Sequence, residues 1–249
     1  RRDNKYKARI KILVRALTAE GFKAQVDEEW AVIDQEQGAV PLSQLQRLSA
    51  FFAPPTFTEL DESHALLGNQ RLENPAFNRW MKHNVSSHRA KGYAVVTLST
   101  KTVGTPPGDV SAEQMDAVAA WASEFGFGEI RIAHEQNFVL PHIPQRKLHE
   151  LWQQAQSMGL GHCNAGLISD MICCPGGDYC SLANAKSLPV AEAIQRRFAD
   201  YDFQHDLGEL DLNISGCMNA CGHHHVGHIG ILGVDKKGQE FYQISLGGH

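Results

Sequence analysis

No apolar run in this chain is long enough to cross a bilayer. The longest, such as Ile229–Val234, fall far short of the roughly 20 residues a spanning helix needs. No basic opening followed by an apolar stretch and a small-residue cleavage site is visible, so export is not indicated and a cytoplasmic location is expected. Basic residues never run together for more than a few positions and the net charge is −5, which argues against nucleic acid as the main partner. A methionine start is missing too. The chain opens on Arg1-Arg2-Asp3 and stops at Gly247-Gly248-His249, directly after an alternating, strand-like run. Both ends are expected to be truncations of a longer protein.

What is present is a globular composition. With 249 residues, 43% of them hydrophobic, the chain can form one large domain or two compact ones, each with its own core. Six cysteines (Cys163, Cys173, Cys174, Cys180, Cys217 and Cys221) are confined to residues 163–221. In a small secreted domain an even count would suggest disulfides. In a long chain with no export signal, metal or cluster binding is the better expectation.

Residues 1–30 read as a terminal helix: Ile10, Leu13, Val14 and Leu17 recur at helical spacing within Lys7–Leu17, opposite a basic face. Its apolar stripe is expected to pack on a preceding domain that this chain lacks. Residues 31–88, with Pro54-Pro55 and Pro75, read as a linker with short helical pieces such as Pro41–Phe51. From residue 89 to 160 the pattern sharpens. Tyr93–Ser99 is strand-like, and Ser111 with Gln114 three residues on forms a helix start. Glu129–Ala133 and Phe138–Leu140 are strand-like, and Pro144–Met158 is helical. Strand, helix, strand pair, helix suggests a split βαβ unit, a ferredoxin-like half. In residues 161–249, Ala165–Ile172 and Leu210–Ile214 are expected as strands that run straight into the two cysteine groups. Pro189–Phe198 is expected as a helix with proline at its start, and Ile229–Val234 with Phe241–Leu246 as a hairpin. The fold class expected is α+β, a ferredoxin-like half-domain followed by a mixed α/β domain.

The cysteine groups are Cys174-Pro-Gly-Gly-Asp-Tyr-Cys180 and Cys217-Met-Asn-Ala-Cys221, with 36 residues between them. A cubane cluster needs four thiolates from several directions, and Gly176-Gly177, Gly216 and Gly222 supply backbone able to wrap it. On spacing alone a Cys₄ zinc site stays open, although the five-residue gap of the first pair fits zinc knuckles poorly. Disulfides and buried unliganded thiols stay open as well.

The C-x₅-C and C-x₃-C groups, together with Ser215-Gly216-Cys217-Met218-Asn219-Ala220-Cys221-Gly222, resemble the signature of siroheme-dependent sulfite and nitrite reductases. Gly92–Thr97 and Gly128–Leu140 are similar to that family's second ferredoxin-like half-domain. The resemblance runs from about Asn74 to the end and implies that Cys174, Cys180, Cys217 and Cys221 ligate a 4Fe–4S cluster. Cys221 would also bridge to siroheme iron, in a domain spanning residues 161–249. It implies an oxidoreductase that passes six electrons, one at a time, to sulfite or nitrite, from ferredoxin or a flavoprotein. A loose likeness of Cys217–Gly233 to bacterial assimilatory sulfite reductase haemoproteins favours sulfite. A nitrite reductase, or a non-catalytic zinc- or cluster-bearing interaction module, is the alternative.

Gln136 and Asn137 are candidates to hydrogen-bond the macrocycle, and Asn219 to cap a turn or touch the cofactor. Cys163 and Cys173 read as core or spacer thiols, and His223-His224-His225 with His228 as a polar loop. The family's basic substrate pocket comes mainly from an N-terminal half that no segment here resembles. That half is therefore an expected partner, and the chain alone is expected to be inactive.

Overall fold

The computed structural model describes residues 8–33, 39–61 and 64–247. The chain divides into two compact units, the first running to Thr56 and the second starting at Phe57. In the first unit, α1 spans Ile10–Val32 and is broken at Thr18, whose φ of 66° is not helical. Leu13, Val14 and Leu17 are half-buried while Ile10 is exposed, and Lys7 lies outside the described residues. Helix α2, Leu42–Phe51, begins directly after Pro41, as its sequence suggests. None of this unit's described residues is buried.

The second unit holds two sheets, each over its own apolar cluster. Helices α3 (His64–Glu73) and α4 (Pro75–Asn84) come first, inside the stretch that reads as linker. Asn74-Pro75 is a helix start: Asn74 Oδ1 accepts the N–H groups of Ala76 and Phe77, and proline occupies the first turn. Phe77 and Trp80, one turn apart on α4, are completely buried.

The strands β1 (Val85–Ser87), β2 (Tyr93–Leu98), β3 (Arg131–Ile132) and β4 (Phe138–Pro144) form a sheet in the order β1-β2-β4-β3, every neighbouring pair antiparallel. Helix α5 (Ala112–Phe125) connects β2 to β3, and its start carries the capping box read from Ser111 and Gln114. A short 3₁₀ turn, Gln145–Lys147, leads into α6 (Leu148–Ser157). Val96, Leu98 and Leu140 from the sheet meet Val118, Leu148 and Leu151 from these helices, together with Phe77 and Trp80, in one core. This is the ferredoxin-like half-domain.

The second sheet contains β5 (Ile172–Cys173), β6 (Leu212–Ser215), β7 (Ile229–Lys236) and β8 (Gln239–Leu246), in that order. β5–β6 and β6–β7 are parallel, and β7–β8 is the expected hairpin, turning at Lys237-Gly238. Helix α7 (Leu188–Arg197) packs Ala191 against Met171, Ile214 and Ile231. A further helix, α8 (Tyr201–Leu207), starts at the Asp200 cap, and Asp202 on it pairs with Arg79 of α4.

One expectation fails. Ala165–Ile172 is not a strand; only Ile172-Cys173 pairs. The residues before it turn instead. Gly166 sits at φ 76°, Asn164 Nδ2 donates to Ser169 Oγ at 2.9 Å, and Gly166 N–H donates to Asp170 Oδ2 at 2.9 Å. Short polar side chains that satisfy the backbone locally compete with a strand ladder.

On the half-domain, three side chains form an oriented chain. The Ala90 N–H donates to His88 Nδ1 at 2.8 Å, so neutral His88 carries its proton on Nε2, 3.0 Å from His142 Nδ1. His142 then directs Nε2–H to Glu129, 3.2 Å away. Burial depresses the His142 pKa, and Glu129 opposes this only in part. Unfolded, the imidazole takes up a proton as pH falls below about 6.5, while in the fold it resists. The contribution to stability is therefore intact above about pH 6.5 and lost as pH falls below it. Urea unfolding from pH 8 to 5.5 should show a steeper acid-side loss for the wild type than for His142→Gln. Phe77→Ala should cost about 3–5 kcal/mol by the same measurement; a near-neutral value would return residues 75–84 to the status of linker.

Candidate cysteine-lined site

β5 and β6 run parallel and side by side, and each ends in a cysteine group. Cys174 follows β5 directly and Cys217 lies two residues beyond β6. In open α/β sheets, the space beyond the carboxyl ends of parallel strands is where ligands bind.

The two loops are stitched together by Gly216. Its N–H donates to Cys174 Sγ at 3.1 Å, and its carbonyl accepts the N–H groups of Asn184 and Ala185 at 2.9 and 3.1 Å. A side chain at Gly216 would put its Cβ 2.6 Å from Gly176 Cα, so this approach requires glycine. Gly222, just past Cys221, is equally constrained: a Cβ there would lie 1.9 Å from Ile214 O. Within the second loop Ala220 takes a left-handed φ of 58° and donates its N–H to Cys217 O, which curls the chain between the two cysteines.

The six thiols differ in setting. Cys163 belongs to the half-domain core, and burial raises its pKa. Cys173 is buried in the second core, donates Sγ–H to Cys174 O, and is pushed up to about 12 by burial, with Cys174 and Asp178 adding to the shift. A thiol held protonated in this way is a poor ligand. Cys174 and Cys180 are half-buried, Cys217 is buried and Cys221 is exposed. Among the described residues, no three of His, Cys, Asp and Glu converge as one metal ion requires.

The other expected site residues are engaged within the chain. The Gln136 amide is directed at the Cys173 backbone, with Oε1 accepting at 3.3 Å and Nε2 donating at 3.4 Å. Asn137 is buried; its Oδ1 accepts from Lys101 Nζ at 2.9 Å and its Nδ2 donates to Asp170 at 2.8 Å. Both side chains thus have partners within the chain. Asn219 is half-buried in the second loop. The histidines scatter: the His223 ring lies 4.7 Å from His134, His224 is buried, and His228 Nδ1 accepts the Asp211 N–H at 2.9 Å.

Residues invisible to pattern reading support the site from behind. Lys101, fully buried, directs Nζ to Asn137 Oδ1, Thr100 Oγ1 and the Glu135 carbonyl, with Asp170 Oδ1 3.5 Å away. Burial lowers the Lys101 pKa and raises that of Asp170, and each is partly restored by the other. No periodicity marks a buried lysine; its only trace in sequence is a charge amid Ser99-Thr100 and Thr102, directly after a strand.

Comparison with known proteins agrees with this architecture. Residues 96–158 match the family model described as the nitrite/sulfite reductase ferredoxin-like half domain. The chloroplastic ferredoxin–nitrite reductase of Betula pendula is 27% identical, over 99% of this chain and 37% of its own length. Sulfite reductase (ferredoxin) 2 of Mycolicibacterium paratuberculosis is 32% identical, over 59% of this chain and 28% of its own length. The structure of the Mycobacterium tuberculosis NirA protein shares the fold, with a TM-score of 0.58 at 22% identity, covering 100% of this chain and 40% of that one. Over residues 96–158 the chain is similar to the ferredoxin-like half domain of nitrite and sulfite reductases, and the curated relatives it matches are nitrite and sulfite reductases. It spans about a third of the length of the curated relatives it matches.

Removing the Asp170 carboxylate strands a buried ammonium. Asp170→Ala should therefore cost about 3–5 kcal/mol in chemical denaturation, and pairing Asp170→Leu with Lys101→Met should recover much of it. A loss under about 1 kcal/mol for the single variant would mean that the pair carries no charge.

Proposed function

We propose that this chain is the cluster-bearing portion of a siroheme-dependent reductase that takes sulfite to sulfide or nitrite to ammonia. Cys174, Cys180, Cys217 and Cys221 would hold a 4Fe–4S cluster, with Cys221 the thiol that would also serve the siroheme. When bound, these groups supply one-electron storage and the metal at which the anion is reduced. A ferredoxin is proposed as donor, as the names of the relatives state for those proteins.

The supporting observation is the pair of cysteine loops at adjacent parallel strand ends, joined by the Gly216 N–H on Cys174 sulfur. A backbone N–H directed at sulfur stabilises the thiolate and is one lever on a cluster's potential. The donor set favours a cluster over zinc. The five-residue gap of the first pair fits zinc knuckles poorly, and the glycines in and beside both pairs give backbone able to wrap a larger group. Cys221 is the exposed member, with room for a sulfur that serves a second group. Cys163 and Cys173, each packed in an apolar core, are left out of the proposed ligand set.

Sulfite leads on the likeness of the second loop to sulfite reductase haemoproteins. The nitrite reading rests on relatives such as the Betula enzyme, which align over nearly the whole chain. Sulfide or ammonium as product distinguishes them.

Anaerobic reconstitution of the full chain with iron and sulfide should give about four irons per chain. Cys174→Ser, Cys180→Ser and Cys217→Ser should each lose most of that iron, because a neutral hydroxyl is a poor ligand. Cys163→Ser and Cys173→Ser should retain it. Iron lost from Cys173→Ser but kept by Cys174→Ser, or one zinc in place of iron, would sink the assignment.

A further inference from the structure

The tip of the β3–β4 hairpin reaches toward both cysteine loops. Gln136 meets the backbone of Cys173, directly before Cys174, and the His134 ring packs 4.7 Å from His223, two residues past Cys221. β5 is the edge strand of its sheet. Cys174 N–H donates to Ile214 O on β6, so Cys173, one residue back, turns its N–H and carbonyl to the open edge. An open strand edge leaves one donor and one acceptor unpaired. The Gln136 amide, itself one donor and one acceptor, meets both as a neighbouring peptide would.

The hairpin is shaped for this reach. Gln136 has a left-handed φ of 63°, a conformation that non-glycine residues seldom adopt. Its backbone is held there by Gln136 N–H to Ala133 O at 3.0 Å and Thr100 Oγ1 to Gln136 O at 2.7 Å. Gly108, at φ 93°, clears the space: a Cβ there would lie 3.1 Å from the Gln136 side chain. Strain kept at one residue, with neighbours arranged to hold it, points to a side chain whose direction matters.

We propose that Gln136 is a positioning residue for the cluster, setting the first cysteine loop by completing the open edge of β5. The proposal rests on the cluster reading of the four cysteines and adds to it a residue that touches no iron. It also assigns Gln136 a role distinct from macrocycle binding. Gln136→Met, which keeps length and volume but has no amide, separates hydrogen bonding from packing. Gln136→Glu, which can accept but not donate when ionised, separates the two bonds.

The test uses the full chain, first without cluster and then reconstituted. Without cluster, Gln136→Met should speed amide exchange at Cys173 and Cys174 by about tenfold, the equivalent of one or two modest hydrogen bonds. Gln136→Glu should be no better, because its carboxylate faces the Cys173 carbonyl. Ser111→Ala, which weakens the half-domain at the α5 cap, should leave exchange at those two residues unchanged. Reconstituted Gln136→Met should also show altered electron paramagnetic resonance g-values of the reduced cluster, which Ser111→Ala should not. A wild-type chain that takes up no cluster would overturn the cluster reading and this role with it. A cluster-loaded wild type matched by Gln136→Met in both exchange and g-values would overturn the positioning role alone.

Discussion

Asp170 carries a carboxylate to a place that water does not reach, and much of the second unit is organised around keeping it satisfied. Its partners come from both sides of the join between the half-domain and the cysteine-bearing sheet: the Gly166 N–H from its own turn, Asn137 from β4's entry, and the Lys101 ammonium from the loop after β2. Burying either charge alone would be prohibitive, whereas two opposite charges with hydrogen bonds on both offset most of the penalty. Such a pair adds little net stability over an apolar one, but it tolerates few other arrangements. It therefore specifies how the half-domain's loops meet the turn that launches β5.

From that junction the geometry of the site follows. The turn at Asn164–Asp170 delivers a strand of only two residues, which is enough to bring Cys174 level with the end of β6. Glycine then does what no other residue does here, letting the second loop lie against the first closely enough for a backbone N–H to meet a sulfur. The half-domain contributes no thiol to the proposed ligand set. Its hairpin tip supplies an amide to the open strand edge and an imidazole against the second loop, so its part in the chemistry is to hold position.

Much of this was legible in the residues. The Ser111–Gln114 capping box, the strand at Tyr93, the proline-led helix at Leu188 and the terminal hairpin are each encoded over a few neighbouring positions, and each stands where its pattern indicates. Pro75 counts toward a linker reading of residues 31–88 because proline both breaks helices and begins them, and only the buried Phe77 and Trp80 reveal which happens. The apolar run before Ile172 reads as a strand but turns, because short runs do not distinguish a strand from a turn closed by its own Asn, Ser and Asp side chains.

The sequence by itself determined the chemistry on offer: which cysteines occur in two glycine-rich groups, how far apart they stand, and which half-domain precedes them. These are properties of residue type and spacing along the chain. Only the tertiary structure decided what surrounds each thiol. Cys173 and Cys174 are adjacent in sequence, yet one points into a core that holds it protonated and the other toward a glycine N–H. It also turned Gln136 and Asn137 inward and buried Lys101 beside Asp170. Those outcomes depend on desolvation and on partners distant in the chain, and neither leaves a local mark on the sequence.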